Sequence, residues 1–161
     1  LDFAEAAAAP LVLITAWESL FERAGLTAGQ RVLIHAGAGG VGHVAVQLAA
    51  DAGAHVATTV GSDDKAALVS RLGAEQTILY KAVDFVAETV EWSYGRGADL
   101  VFDTIGGDTL QRSFAATRPY GDLVTLLEPP ADTNWGEARL RNLRISLELM
   151  LTPMLQGLEE A

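Results

Sequence analysis

The spacing of apolar positions changes repeatedly along the chain, and each change predicts an element boundary. Residues Asp2–Ala9 are Ala-rich and read as a short helix stopped before Pro10. Leu13, Trp17, Leu20, Phe21 and Ala24 then recur on one helical face, with Gly25 at the C-cap position. Arg31–Ala36 is a short strand built on Val32-Leu33-Ile34. Val41, Val44, Ala45, Leu48, Ala49 and Ala52 mark the following helix, which closes near Gly53. His55–Val60 is β-branched and predicts a second strand. Ser62 or Asp63 caps a helix that runs to about Leu72 and is closed by Gly73. Thr77–Tyr80 is a third strand, and Asp84–Trp92 a helix with Val86 and Val90 facing inward. Asp99–Ile105 is a fourth strand whose Leu100-Val101-Phe102 run implies burial on both faces. Asp108 caps a helix over Thr109–Thr117, and Pro119-Tyr120-Gly121 is a turn. Asp122–Leu127 is a fifth strand, Glu128–Asn134 a loop, and Leu143–Leu149 a sixth strand.

Strands alternating with helices of about ten residues imply βαβ units and a parallel sheet. Right-handed crossovers and about six strands predict an α/β doubly wound, Rossmann-type sheet in the order 3-2-1-4-5-6, with helices on both faces.

Composition narrows the chemistry. The 161 residues carry 21 acids against 11 bases, a net charge of −10. That balance opposes binding to nucleic acid or to an anionic membrane surface, which need clustered Lys and Arg. No apolar run reaches the length of a membrane span. The absence of Cys removes disulfides, thiolate nucleophiles and Cys-ligated zinc from these residues. The chain begins at Leu1 rather than Met and has no secretory pattern. We therefore expect one domain over residues 1–161, excised from a longer chain, and a cytoplasmic location.

Gly37-Ala38-Gly39-Gly40-Val41-Gly42 satisfies G-x-G-x-x-G, after a strand and at the opening of a helix. Gly37 is expected to permit the tight turn, Gly39 to let a pyrophosphate approach the backbone, and Gly42 to bring the helix close to the sheet. N–H groups at the helix start, among them those of Gly40 and Val41, then face the phosphates. An NAD site usually ends the second strand with an acid that binds the ribose 2′-OH. Here the region reads Thr58-Thr59-Val60-Gly61-Ser62, without one. Lys65, one turn into the next helix, can pair with a 2′-phosphate, and Ser62 can donate to it. This favours NADP over NAD, although Asp63 and Asp64 adjoin, and Lys65 also fits a solvated surface position.

His35-Ala36-Gly37-Ala38-Gly39-Gly40-Val41-Gly42 with Ala45-Val46-Gln47-Leu48-Ala49 resembles the zinc-containing alcohol dehydrogenase superfamily. Within that medium-chain group the chain is most similar to the quinone oxidoreductase branch. The likeness continues through Lys65, Leu72-Gly73-Ala74 and Phe102-Asp103-Thr104-Ile105-Gly106-Gly107. It takes in Arg118-Pro119-Tyr120-Gly121, where the family more often has Pro-Gly-Gly. The resemblance implies an NADPH-dependent reductase of a quinone or an α,β-unsaturated carbonyl. By position, it puts Gly39–Gly42 at the pyrophosphate and Ser62, Lys65 and Tyr80 around the adenosine 2′-phosphate. Thr104 and Ile105 would lie along the cofactor, with Leu126, Leu127 and Thr15 near the nicotinamide. Spacing alone assigns Thr15 and Tyr80 to helix and strand packing.

In the zinc-dependent branch a Cys ligand stands four residues before the position of Thr15. Here that residue is Leu11, so zinc is not expected. His35, His43 and His55 show no converging spacing. No catalytic residue is assigned: Asp103 lies inside a strand and reads as a structural carboxylate that binds nearby N–H groups. The family's GroES-like domain, the other wall of its substrate cleft, has no counterpart in this sequence. The family habit of pairing through the edge strand predicts a homodimer at Leu143–Leu149. Two other readings stand beside the reductase: a zinc-type alcohol dehydrogenase relative, and a non-catalytic nucleotide-binding member of the same superfamily.

Overall fold

A computed structural model describes residues 2–158. Its centre is a six-stranded parallel sheet in the order β3-β2-β1-β4-β5-β6. The strands are β1 (Arg31–Ile34), β2 (His55–Val60), β3 (Gln76–Leu79), β4 (Ala98–Asp103), β5 (Thr117–Thr125) and β6 (Arg144–Leu147). The helices are α1 (Phe3–Trp17), α2 (Gly40–Asp51), α3 (Asp63–Arg71), α4 (Phe85–Trp92), α5 (Gly107–Ala116), α6 (Gly136–Leu140) and α7 (Thr152–Leu155). This is the Rossmann-type α/β fold and strand order that the apolar pattern predicts.

Side chains alternate across each strand, so one sheet feeds two cores. Val32, Ile34, Val56, Leu100, Phe102 and Val124 meet α1, α2 and α3 on one face. Leu33, Ala57, Val101 and Leu123 meet α4, α5 and α6 on the other, through Phe85, Leu110, Phe114 and Ala138. All strand residues named here are essentially inaccessible to water. That double burial explains why these strands read as continuous apolar runs.

Several boundaries depart from expectation. α1 does not stop before Pro10 but runs through it. Proline removes one N–H from the helix ladder, yet Pro10 lies on the exposed side, where the freed carbonyl of Ala6 is near solvent. The helix then loosens into a π-helical turn, Glu18–Arg23, before Gly25 adopts φ 59°. On α4 the buried positions are Phe85 and Thr89, with Val86 and Val90 only half-buried. The expected turn at Pro119-Tyr120-Gly121 is a bulge inside β5: Thr117 pairs with Ala98, and the register shifts before Asp122 pairs with Leu100. The sixth strand is shorter than expected, and α6 precedes it. Arg144 clamps Asp122 on β5, with Nε 2.6 Å from Oδ1. No described helix is long and apolar enough to cross a membrane.

α5 starts at Gly107 and not behind an Asp108 cap. The reason lies upstream. Buried Asp103, at the end of β4, accepts from the N–H of Ile105 at 3.0 Å, the N–H of Gly106 at 3.0 Å and the hydroxyl of Thr125 at 3.0 Å. Gly106 then turns at φ 73°, and a Cβ there would stand 2.9 Å from Leu127 Cδ1. Asp103 is thus the structural carboxylate that the sequence predicts.

Candidate functional site

The carboxyl ends of β1, β2 and β4 open into a cleft of about 450 Å³. Gly39, Ser62, Lys65, Tyr80 and Ile105 line it together. A smaller cleft of about 220 Å³ lies beyond the glycine loop, lined by Leu11, Thr15, Val41, Leu126 and the segment Glu148–Leu151. The candidate residues thus divide between two depressions, with Gly39 in one and Val41 in the other. Gly37, Gly40, Gly42, Thr104 and Leu127 line neither.

The turn between β1 and α2 differs in detail from expectation. Its left-handed residue is Ala36 at φ 52°, not Gly37. Gly37 is needed for space: a Cβ would fall 2.1 Å from Thr58 Oγ1 on β2. Gly42 is needed for the close approach predicted, since a Cβ would meet the Ala36 carbonyl oxygen at 2.2 Å. Gly39 is less confined, its nearest neighbour being the same oxygen at 3.1 Å. Gly39 is the N-cap residue of α2 and carries no capping side chain, so the first-turn N–H groups remain open to an anion. Thr104 fastens the loop from β4 by donating to the His35 carbonyl at 2.9 Å. Leu127 donates its N–H to Thr125 Oγ1 at 3.3 Å and packs over Gly106.

His35 forms the floor of the larger cleft and is fully buried. Nε2 lies 2.9 Å from Ser113 Oγ and Nδ1 3.2 Å from Thr59 Oγ1. Burial pushes its pKa down to about 4, against a smaller opposing pull from Asp103. The ring is therefore neutral at pH 7, and Phe85 meets it edge-on at 4.8 Å.

The charge around this cleft is the reverse of the chain's. Lys65, Lys81 and Arg112 line it, and among the described residues no carboxylate does. Among the described residues neither lysine is in an ion pair. Ser62 is the N-cap residue of α3, but its hydroxyl makes no capping bond and is free to serve a ligand. Asp63 and Asp64 are exposed in that helix's first turn and do not line the cleft. Tyr80 is half-exposed, its hydroxyl 3.4 Å from where a Gly61 Cβ would stand, and Lys81 Cε is 3.6 Å from the same point. Gly61 thus leaves room for Tyr80 and Lys81 to lie side by side. Arg112 is partly committed: it pairs with Asp84 at 2.9 Å and stacks 4.6 Å over Phe85. Backbone N–H groups of Ala87 and Val86, with Arg112, hold the Asp84 carboxyl below its usual range.

Lys81 and Arg112 have no counterpart among the candidates drawn from the sequence. Lys81 follows Tyr80 directly, so its signal lies one residue beyond a candidate position. Arg112 sits on α5, which only the crossover from β4 brings to this cleft.

The histidines do not converge. His43 Nδ1 is 2.9 Å from the Gly39 carbonyl, and His55 pairs with Glu75 at 2.9 Å on the surface. Among the described residues no three His, Cys, Asp or Glu side chains could hold a metal ion.

Comparison with known proteins adds lineage to this geometry. Residues 40–147 match the family model for zinc-binding dehydrogenases. Over 138 residues the chain is 41% identical to a phenolphthiocerol/phthiocerol polyketide synthase of Mycobacterium tuberculosis, covering 84% of this chain and 6% of that protein. Over 93 residues it is 42% identical to 2-haloacrylate reductase of a Burkholderia species, covering 58% of this chain and 28% of the reductase. The fold superposes on Escherichia coli quinone oxidoreductase complexed with NADPH at a TM-score of 0.87 and 29% identity, covering 94% of this chain and 48% of that one. The chain therefore spans less than half the length of each of these relatives.

Proposed function

The chain belongs to the zinc-binding dehydrogenase family, and from that premise we propose that it is the NADP(H)-binding domain of a reductase. The substrate class is a quinone or an α,β-unsaturated carbonyl, and the parent enzyme carries a separate GroES-like catalytic domain. The observation that carries the NADP reading is the larger cleft. Among the described residues, two unpaired lysines and a free Ser62 hydroxyl border it and no carboxylate lines it, in a chain of net charge −10. A carboxylate there would suit a ribose diol, whereas cations suit a 2′-phosphate.

Each residue then has a task. Gly39, Gly40, Val41 and Gly42 hold the pyrophosphate at the open start of α2. Ser62, Lys65 and Tyr80 hold the 2′-phosphate, with Lys81 beside them. Thr104 and Ile105 border the cofactor's course to the smaller cleft, where Thr15 and Leu126 bound the nicotinamide, with Leu127 next to Leu126 in the chain. Bound there, NADPH supplies the hydride. The protein supplies orientation and a dry apolar wall. No side chain of this domain is assigned as proton donor to substrate. Zinc does not fit the residues present, because Leu11 stands at the ligand position and no metal-binding group assembles among the described residues.

Exposed Leu11, Leu13, Ile14 and Trp17 on α1 support a covering domain over the smaller cleft. Exposed Leu147 and Leu149 at the sheet edge support a homodimer through Leu143–Leu149. The deciding experiment is calorimetry with NADPH and NADH, followed by quinone- and enone-dependent oxidation of NADPH by the full-length protein. Tighter binding of NADPH and turnover are expected. Tighter binding of NADH would remove the NADP assignment, and binding without turnover would favour a non-catalytic member.

A further inference from the structure

Three buried side-chain atoms among the described residues lack a hydrogen-bond partner: Ser19 Oγ, Arg31 Nε and Glu148 Oε1. Glu148 is the one that borders a cleft. It follows β6 directly, its N–H donates to the Thr125 carbonyl at 3.0 Å, and its side chain is fully buried. With Leu149, Met150 and Leu151 it forms one wall of the smaller cleft. Its Oε2 accepts from Arg23 Nε at 2.7 Å, which leaves Oε1 without a donor. A carboxylate oxygen buried without a donor is costly.

The groups facing it come from the π-helical turn. They are Arg23, which pairs with it at 2.7 Å, and Glu18, whose carboxyl is within hydrogen-bonding reach of Glu148 and has Glu22 and Arg23 near it in turn. If both carboxyls were ionised, Arg23 alone would face two adjacent negative charges. If Glu18 is protonated, its O–H is the donor that Oε1 lacks. We propose that the Glu18 carboxyl supplies the O–H that Glu148 Oε1 lacks, and that this pair is a positioning element fixing the wall Glu148–Leu151 against the nicotinamide end of the cofactor. Burial and then the hydrogen bond and charge of Glu148 raise the Glu18 pKa, with Glu22 adding to them and Arg23 opposing. The pair acts through the wall and is given no role in transferring a proton to substrate.

The role in positioning rests on the cofactor reading of the smaller cleft, and the existence of the pair does not. Two measurements on the full-length protein separate them. Infrared difference spectra between wild type and Glu18→Gln, followed against pH, should show a protonated carboxyl that titrates above the ordinary glutamate range. Absence of that band would overturn the pair. NADPH affinity should weaken about fivefold in wild type as that carboxyl ionises, the equivalent of one hydrogen bond lost. Glu18→Gln, whose amide N–H can donate to Oε1 at any pH, should bind tightly without the pH dependence. Glu18→Ala should bind weakly throughout. Glu18→Ala with the wild-type affinity and pH profile would overturn the positioning role. Wild type failing to bind NADPH at any pH would overturn the cofactor reading and the positioning role with it, and the infrared band would still decide the pair.

Discussion

His35 Nε2 lies 2.9 Å from Ser113 Oγ, and this contact fixes the tautomer of the buried ring. Ser113 already donates its hydroxyl proton to the Thr109 carbonyl at 2.7 Å, so it can only accept from His35. Nε2 therefore carries the ring proton, and Nδ1 accepts from Thr59. Thr59 in turn accepts the N–H of Ala36 at 3.0 Å. One neutral imidazole thereby ties α5 to the left-handed residue that begins the glycine turn. A second proton on the ring would meet the Thr59 hydroxyl with donor facing donor.

The pH dependence follows from this. The folded pKa of about 4 lies below the ordinary 6.5, so the folded state binds fewer protons in that interval. The contribution is complete above pH 6.5 and is lost as pH falls through about 4. Roughly 3 kcal/mol is at stake across the window, at 1.36 kcal/mol per pH unit. Urea unfolding of wild type and His35→Gln from pH 7 to pH 4 should give stability curves that converge in acid. Parallel curves would mean that His35 does not titrate as described.

The glycines of the turn should separate by role. Gly42→Ala forces a Cβ to 2.2 Å from a backbone oxygen, so the helix must retreat from the sheet. A loss of roughly 1–3 kcal/mol of stability is expected. Gly39→Ala meets the same oxygen only at 3.1 Å and keeps an ordinary φ of −85°. It should melt within a few degrees of wild type while losing NADPH affinity at least about tenfold, because the methyl occupies the pyrophosphate's approach. Thermal melts beside NADPH titration distinguish the two, and equal melting losses would contradict the division.

Period and punctuation made the sheet legible. The two faces of each strand feed separate cores, so the runs at Val32-Leu33-Ile34 and Leu100-Val101-Phe102 have few other uses. The glycine motif was legible in position but not in mechanism. Ala36 takes the strained conformation because Thr59 and Gly39 bond its backbone, a tertiary effect that no local pattern carries. Pro10 misled for the opposite reason, since solvent at the helix surface lowers the cost of an interior proline. The cationic cleft was half legible. Lys65 lies at a recognisable distance from the second strand, whereas Arg112 arrives only when α5 crosses the sheet. Glu148 was hidden within an apolar segment that reads only as a sheet edge.

Asp103 should prove structural. Asp103→Ala would leave the N–H groups of Ile105 and Gly106 and the hydroxyl of Thr125 without their acceptor in the interior. At about 1–3 kcal/mol for each unsatisfied buried group, a loss of at least about 3 kcal/mol is expected. Chemical denaturation measures it directly. A variant as stable as wild type would remove Asp103 from the scaffold of the turn from β4 into α5 and reopen it as a site residue.

The lysines test the cofactor assignment most sharply, because both sit on the surface and neither is in an ion pair among the described residues, so their loss should not disturb the fold. Lys65→Ala should weaken NADPH binding by roughly 1–2 kcal/mol, as for a lost charge-assisted contact, and leave NADH binding nearly unchanged. Lys81→Ala should act in the same direction, since its chain lies over Gly61 beside Tyr80. Each effect should shrink as salt rises, because exposed charge pairs are screened. Arg112→Ala should behave differently. It frees Asp84 and uncovers Phe85, so it should lower stability as well as affinity. Calorimetric titration of the three variants with NADPH and NADH, at low and high salt, reads these differences. If both lysine variants keep the wild-type preference between the two cofactors, the cations are surface charge and the 2′-phosphate is recognised elsewhere.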